Sequence, residues 1–550
     1  MWWICPFSLC GDNYLQIQRL GGDRVWHTVS MQPFNAKTGA VASTVAMCMA
    51  CANAVAQFTS DPNAPDVLAA GTNDQVQSKV VNIPTGGFYM SWYDNSTGGY
   101  DPWVQRYDAN GIGLWPNKGV RVLDTNFSST EDYGLTSDAA GNAVIVTRSD
   151  IGGTKIIAQA VSPSGVLLWG ATGVTLSASS AVNAPKAGRA GDGAAVAGWT
   201  ESSRAKVMRL TPEGTAAWAT AATISDGTAT TFLSDLQPGD GGTVIASVVR
   251  YTTFTGAKTI QAQKFSSTGV AQWAATNVRV FTTGSLQFGN FPSFISDGEG
   301  GAIFSWYATG PLQSYAQWVS PTGALRFGTN GAGVTAGTNL ERVAPTAAYD
   351  PTLRRVYVAW NEHVPNSSIY GSGGQSFSED GTRLWGDIGV NFSPTETTYE
   401  ETQARVAMLG EFPTFSSVRS PAYGSQTARA YSYDALGTPR WASPVVLTGV
   451  GFVGRMVFMA ASGTPAGVHA IWESGAVGVT DLLGARLNAD GSLGLPSVCG
   501  DLNGDGVVTG ADLGLLLGAW GPANGSPFDL NHDGVVNGAD LGLLLGCWTT

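Results

Sequence analysis

Histidine, cysteine and positive charge are all scarce in this chain, and each scarcity removes a class of function. The 550 residues hold four histidines and six cysteines. Beyond the N-terminal segment considered below, the histidines are His363, His469 and His532, and the last falls inside an acidic loop. No Ser-His-Asp arrangement and no zinc-type spacing can be drawn from them. Charged residues make up 13%, with 29 Lys and Arg against 41 Asp and Glu, for a net charge of −12. Such a balance opposes binding to nucleic-acid phosphates, so no nucleic-acid partner is expected. No segment past residue 56 is apolar enough to cross a bilayer, so no membrane span is expected. Glycine is abundant instead, at 72 residues, and there are 18 tryptophans. Low charge density with many Gly, Ser, Thr and Trp residues suits a secreted β protein.

Residues 31–56 read as a secretory signal peptide. Met31 starts it, Lys37 is its positive residue, 39–51 is an uncharged run of mostly small and apolar residues, and Ala54-Val55-Ala56 precedes Gln57. A lipoprotein signal ending at Cys51 is the alternative. Residues 1–30, with Trp2, Trp3, Cys5 and Cys10, do not fit a signal and are read as an over-extended reading frame. The expected mature chain is secreted or displayed at the cell surface, and it keeps two cysteines, Cys499 and Cys547.

From 57 to 496 one unit is written eight times. A tight turn ending in glycine is followed four residues later by a large residue. The pairs are Gly111/Trp115, Gly165/Trp169, Gly214/Trp218, Gly269/Trp273, Gly323/Phe327, Gly381/Trp385, Gly437/Trp441 and Gly491/Leu495. The glycines lie 49 to 58 residues apart, mostly near 54. Each unit reads as four short strands, so the expected fold is mainly β: an eight-bladed β-propeller. A seven-bladed ring with one odd unit and an open β-solenoid are the alternatives. The repeated Trp is read as packing between neighbouring sheets. Gln105, Gln159, Gln263, Gln317 and Gln375, six residues before their turn glycines, are read as structural amides. The eighth unit has little fourth strand of its own, and residues 67–69 are expected to supply it and close the ring.

The last 52 residues, 499–550, hold two copies of one acidic loop, 28 residues apart. The first places Asp501, Asn503, Asp505, Thr509 and Asp512 at loop positions 1, 3, 5, 9 and 12, with Gly506 at position 6. The second places Asp529, Asn531, Asp533, Asn537 and Asp540 likewise, with Gly534 at position 6. Position 7, Val507 or Val535, gives a backbone carbonyl. This is the order in which an EF-hand loop wraps a hard cation. Each loop runs into Asp-Leu-Gly-Leu-Leu-Leu-Gly.

The two loop–helix repeats resemble a type I dockerin, with aspartate at position 12 in place of the usual EF-hand glutamate. The resemblance implies a small α-helical, EF-hand-like module at 497–550 holding two Ca2+ ions. It implies a cohesin-like or cell-surface partner, and close termini that let Cys499 and Cys547 form a disulfide. Family dockerins contact cohesin through loop positions 10 and 11, often with basic residues on the helix. Here those positions are Gly510-Ala511 and Gly538-Ala539, and the helix carries Leu515-Leu516-Leu517, read as core between the repeats. The chain as a whole resembles secreted bacterial proteins with an Ala-Gln…Gly…Trp repeat and a terminal dockerin.

The strand 2–3 and 4–1 loops of a propeller share one face, and here they are the longer and more varied set. Asp94, Glu201 and Glu362 each lie two residues after a strand-two Trp and are read as a ligand rim on that face, with Trp103, Tyr251 and Tyr399 as sugar-stacking rings. No catalytic residue is assigned. The expected function is polysaccharide or protein binding within extracellular polysaccharide breakdown. A glycoside hydrolase or lyase on the propeller, and a structural surface protein with a sorting tail, are the alternatives.

Overall fold

The computed structural model describes residues 58–548 apart from 84–85, 110, 126, 463–465, 495–499, 504–506, 524–527 and 531–533. The expected signal segment, Leu495 and Cys499 lie outside the described residues. Eight antiparallel sheets succeed one another along the chain. Blade 1 pairs Gln75–Asn82, Phe88–Asp94, Asp101–Tyr107 and Val120–Arg121 in that order. Blades 2 to 7 follow at 134–177, 182–224, 230–281, 285–333, 341–396 and 400–446. Blade 8 takes three strands from 456–488 and its outer strand, Asp66–Ala69, from the other end, with Asp66 opposite Gly484. The first strand of each blade packs on the first strand of the next, and that of blade 8 on blade 1. The ring is closed with eight blades, which excludes the seven-bladed and solenoid alternatives.

Second strands are covered by neighbouring sheets on both faces: every residue of Phe88–Asp94 is buried. Outer strands are short, as at Val120–Arg121 and Val445–Val446, which leaves little unpaired edge. Blade 5 departs from the pattern. Its long entry loop adds a short strand, Ser285–Leu286, to the second strand Ala302–Thr309.

The repeat is a lock between blades. Trp169 of blade 2 donates its indole N–H to the Pro212 carbonyl in the turn of blade 3, at 2.9 Å. Its ring lies where a Cβ on Gly214 would stand, 2.5 Å away. The same indole-to-turn bond joins Trp115 to Pro163, Trp218 to Ser267, Trp273 to Pro321 and Trp385 to Ala435. The five repeated glutamines hold Trp115, Trp169, Trp273, Phe327 and Trp385 in place. Gln159 accepts from the Trp169 backbone N–H at 3.1 Å and donates to the Gly170 carbonyl at 2.6 Å. Gln105, Gln263, Gln317 and Gln375 do the same in their own blades.

The seam that closes the ring uses a different ring for the same contact. Phe58 takes the tryptophan's seat against Gly111. Arg486 gives its Nη1 to the Ala109 carbonyl at 2.7 Å, as Arg106 gives its own to Pro163 beside the Trp115 indole. Phe58, Leu68, Phe88, Tyr107, Ile471 and Leu482 form one buried cluster there. His469 is buried beside it, 5.2 Å from the Phe58 ring and 4.7 Å from that of Phe88.

Burial, aided by the Arg486 charge, lowers the His469 pKa from 6.5 to about 3. The folded protein keeps this ring neutral, whereas the unfolded chain protonates it below its ordinary pKa. Its folded pKa is depressed, so this contribution to stability is intact above pH 6.5 and lost as the pH falls toward 3. A melting series from pH 7 to pH 4 is expected to fall more steeply for the wild type than for His469→Phe. The difference expected at pH 4 is on the order of 2–3 kcal/mol. Parallel curves would show that this ring is not the sensor.

Candidate functional site

The tail builds its two sites identically. Helices α1 (Gly510–Gly518) and α2 (Gly538–Gly546) share one sequence, are capped by Thr509 and Asn537, and place Asp512 and Asp540 in a capping box. The Asp512 carboxylate accepts from the Thr509 N–H and, across the loop, from the Leu502 N–H, both at 2.8 Å. Asp540 makes the matching pair with Asn537 and Leu530, also at 2.8 Å. Position 12 is thereby tied back to position 2, and Asp529 at position 1 accepts from the Gly534 N–H at position 6, 2.8 Å away. Burial works against charge on Asp512, but the N–H groups of Thr509, Asn503 and Leu502 outweigh it and hold its carboxyl below the usual range.

An all-oxygen donor set suits a hard divalent cation. Asp501, Asn503, the Val507 carbonyl, Thr509 and Asp512 would hold one ion. Asp529, the Val535 carbonyl, Asn537 and Asp540 would hold the other. Asp505, Asn531 and Asp533 lie outside the described residues.

The tail has little else to hold it. Its core is Val508, Leu516, Ala523, Val536 and Leu544. Each nine-residue helix contains three glycines, and the interior one, Gly514 or Gly542, costs about 0.5–1 kcal/mol. The expectation that all three leucines of each run are core is corrected here: only the middle one is. Leu515, Leu517, Leu543 and Leu545 are exposed, as are Trp520 and Trp548. A leucine whose neighbours also need covering cannot bury all three in so thin a module, because successive helical positions point 100° apart. Cys547 is the C-cap of α2 and packs against the same core.

The acids read as a rim are held by partners within the propeller. Asp94 is fully buried on blade 1 and pairs with Lys118 at 2.5 Å, and that ammonium also lies 4.7 Å from the Trp103 ring. Glu362, on blade 6, is 5% exposed and pairs with Arg342 at 3.2 Å. It also accepts from the Trp360 indole at 3.1 Å. Glu201, on blade 3, accepts from the Trp199 indole and the Ser177 hydroxyl, both at 2.9 Å. The spacing of two residues from Trp thus reflects an indole finding its own acceptor in blades 3 and 6. Among the aromatic candidates, Tyr399 lies under the Arg419 guanidinium at 3.8 Å. Tyr251 is half-buried on the loop face, with the Lys258 ammonium 5.8 Å away.

Sequence reading missed the charged residues lining the inside of the ring. Lys79, Asp132 and Lys186 recur 53 and 54 residues apart, on or just before successive inner strands, and that spacing was the available signal.

Among solved structures, the chain is similar to polysaccharide lyase Uly1, with 11% identity over 78% of this chain and 93% of that one, and a TM-score of 0.41. It is similar to α-L-arabinanase from Penicillium chrysogenum, with 12% identity over 78% and 96% and a TM-score of 0.31. It is also similar to prolyl oligopeptidase B from Galerina marginata, with 9% identity over 74% and 56% and a TM-score of 0.41. No curated protein matches the chain. The family model of the Dockerin type I domain matches residues 499–545. Type I dockerin domains bind calcium, and the chain joins such a domain to an eight-bladed propeller.

Proposed function

We propose that this is a secreted, calcium-stabilised protein whose propeller binds polysaccharide and whose dockerin tethers it to a cohesin-like or cell-surface protein. The observation that carries the tether is the set of exposed apolar side chains repeated in both halves of the tail. Leu515, Leu517 and Trp520 in one repeat, and Leu543, Leu545 and Trp548 in the other, stand exposed on helices whose cores are already filled by Leu516 and Leu544. Exposed apolar groups gathered in this way mark a protein contact. The signal peptide at 31–56, the cleavage before Gln57, two bound Ca2+ ions and a Cys499–Cys547 disulfide belong to this reading. No helix among the described residues is long and apolar enough to cross a membrane.

A core of five buried side chains cannot by itself order the tail's two repeats, so metal binding and folding should be coupled there. Calcium at 100 times its dissociation constant contributes about 2.7 kcal/mol per site. Adding calcium after EDTA is expected to raise the melting temperature of the isolated 497–550 segment or make it fold, and Asp501→Ala with Asp529→Ala to abolish the effect. Identical melting in EDTA and calcium would refute the metal sites. For the propeller, the mature chain is incubated with a panel of polysaccharides in calcium, and both retention and soluble product are measured. Retention without product is expected. Product release would make the chain an enzyme, and neither retention nor product would leave the tail as the functional part.

A further inference from the structure

The inner strands enclose a central channel of roughly 1090 Å³. Its wall carries Lys79, Lys186, Arg189 and Arg455 against Glu131, Asp132 and Asp235. All three carboxylates are engaged. Asp132 takes both Lys79, at 2.7 Å, and Lys186. Glu131 takes Arg148 at 3.0 Å. Asp235 accepts from the Leu236 N–H, the Phe294 N–H and the Gln237 amide, at 2.8, 3.2 and 3.1 Å.

The guanidiniums are not matched. The side chains of Arg189 and Arg455 make no hydrogen bond or ion pair among the described residues. Arg405, on the adjoining inner strand of blade 7, donates to the Ala404 carbonyl at 2.9 Å and has no carboxylate partner among the described residues. Burial, and then the Arg455 charge, pull the Arg405 pKa down, and Arg455 is also felt at Lys79. A chain of net charge −12 thus keeps uncompensated positive charge inside its ring.

Two further observations point to a ligand. Ser78 Oγ, Asn82 Oδ1 and Asn290 Nδ2 line the same channel, are buried and have no hydrogen-bond partner, and Ser78 is 1% exposed. At the loop-face mouth, the chain entering blade 5 lines the channel with Gly289, Asn290 and Phe291. Beside them the Phe254 and Phe288 rings pack 4.8 Å apart while staying 67% and 63% exposed. The Lys258 ammonium stands 5.4 Å from Phe288.

We infer that the channel and its blade 4–5 mouth form a binding site for an acidic glycan. Its carboxylate or sulfate groups meet Arg455 and Arg189 on the channel wall, and a sugar ring stacks on Phe288 and Phe254. Guanidinium forks match the planar, multi-oxygen geometry of such anions. Aromatic faces suit the C–H faces of sugars. The cations are spread round a ring and are not laid out as a continuous basic stripe, which favours an anion with widely spaced charges over a phosphate backbone. This rests on the polysaccharide-binding reading and narrows it to one ligand class.

The test is calorimetric titration of the full mature chain with four probes of matched length: oligogalacturonate, sulfated dextran, neutral dextran and a single-stranded oligonucleotide. At least one acidic sugar is expected to bind, with the uronate and sulfate arms separating the two anion types, and neutral dextran and the oligonucleotide are not. Arg455→Gln, at an exposed position, is expected to weaken acidic binding tenfold or more with an unchanged melting temperature. Phe288→Ala is expected to weaken it several-fold. Equal binding of neutral dextran would overturn the acidic assignment while sparing polysaccharide binding. Equal or tighter oligonucleotide binding would overturn it in favour of nucleic acid. No binding by any sugar would overturn both readings, and acidic binding unaffected by Arg455→Gln would move the site out of the channel.

Discussion

A chain beginning at residue 70, without Phe58 and Asp66–Ala69, is expected to show no cooperative melting transition. Its blade 8 would have three strands, with Asp481–Asn488 left as an open edge. The seat against Gly111 would be empty, and His469 would lose one of its two stacking partners. Removing a buried Phe costs about 3–5 kcal/mol, and a buried Leu such as Leu68 about 2–5. With the lost strand pairing, the sum rivals the roughly 5–15 kcal/mol that holds a typical domain together. Calorimetry with gel filtration reads the outcome directly. A monomeric product melting within a few degrees of the complete protein would show that the ring does not depend on its clasp.

Gly214→Val is expected to destabilise far more than Gly170→Val. Both glycines have left-handed backbones, with φ of 81° and 74°, so both substitutions carry the same backbone strain of about 1–3 kcal/mol. Only Gly214 faces a neighbour: a Cβ there meets Trp169 at 2.5 Å, whereas nothing lies within 4 Å of Gly170. Overpacking adds about 1–3 kcal/mol. Trp169→Ala removes the ring and the bond to Pro212, at about 3–5 kcal/mol. The double variant should be less unstable than the sum, because the valine enters the space the ring has left. Additive effects in the double-mutant cycle would refute the lock between blades.

The propeller was legible because its lock is local in sequence. The turn glycine recurs in every unit, with a Trp four residues later in six of the eight and a Gln six before in five, and one side chain type does one job. Where the job passes to another residue, the pattern goes silent. Phe58 serves the closing seam from a position that no repeat marks. The partners of the acids after the strand-two Trp were hidden for the same reason. Lys118 is 24 residues from Asp94, and Arg342 is 20 from Glu362, so their pairing depends on strand register. Register on the inner strands is shifted by bulges, as between Val76 and Lys79 and between Thr402 and Arg405, which hid the ring of channel charges. The dockerin resemblance at 499–545 was legible because its loop positions recur at a fixed spacing.

The borrowed strand of blade 8 also sets an order of events. Blades 1 to 7 pair strands that are neighbours in the chain, so each can form as it emerges. The clasp cannot, since Gly71 waits for Asp481, 410 residues later. Loop-closure entropy grows only with the logarithm of length, so the delay costs little in final stability. It costs time, because long-range pairing slows folding. Until the last blade arrives, the leading strand has no partner and the growing ring has a gap.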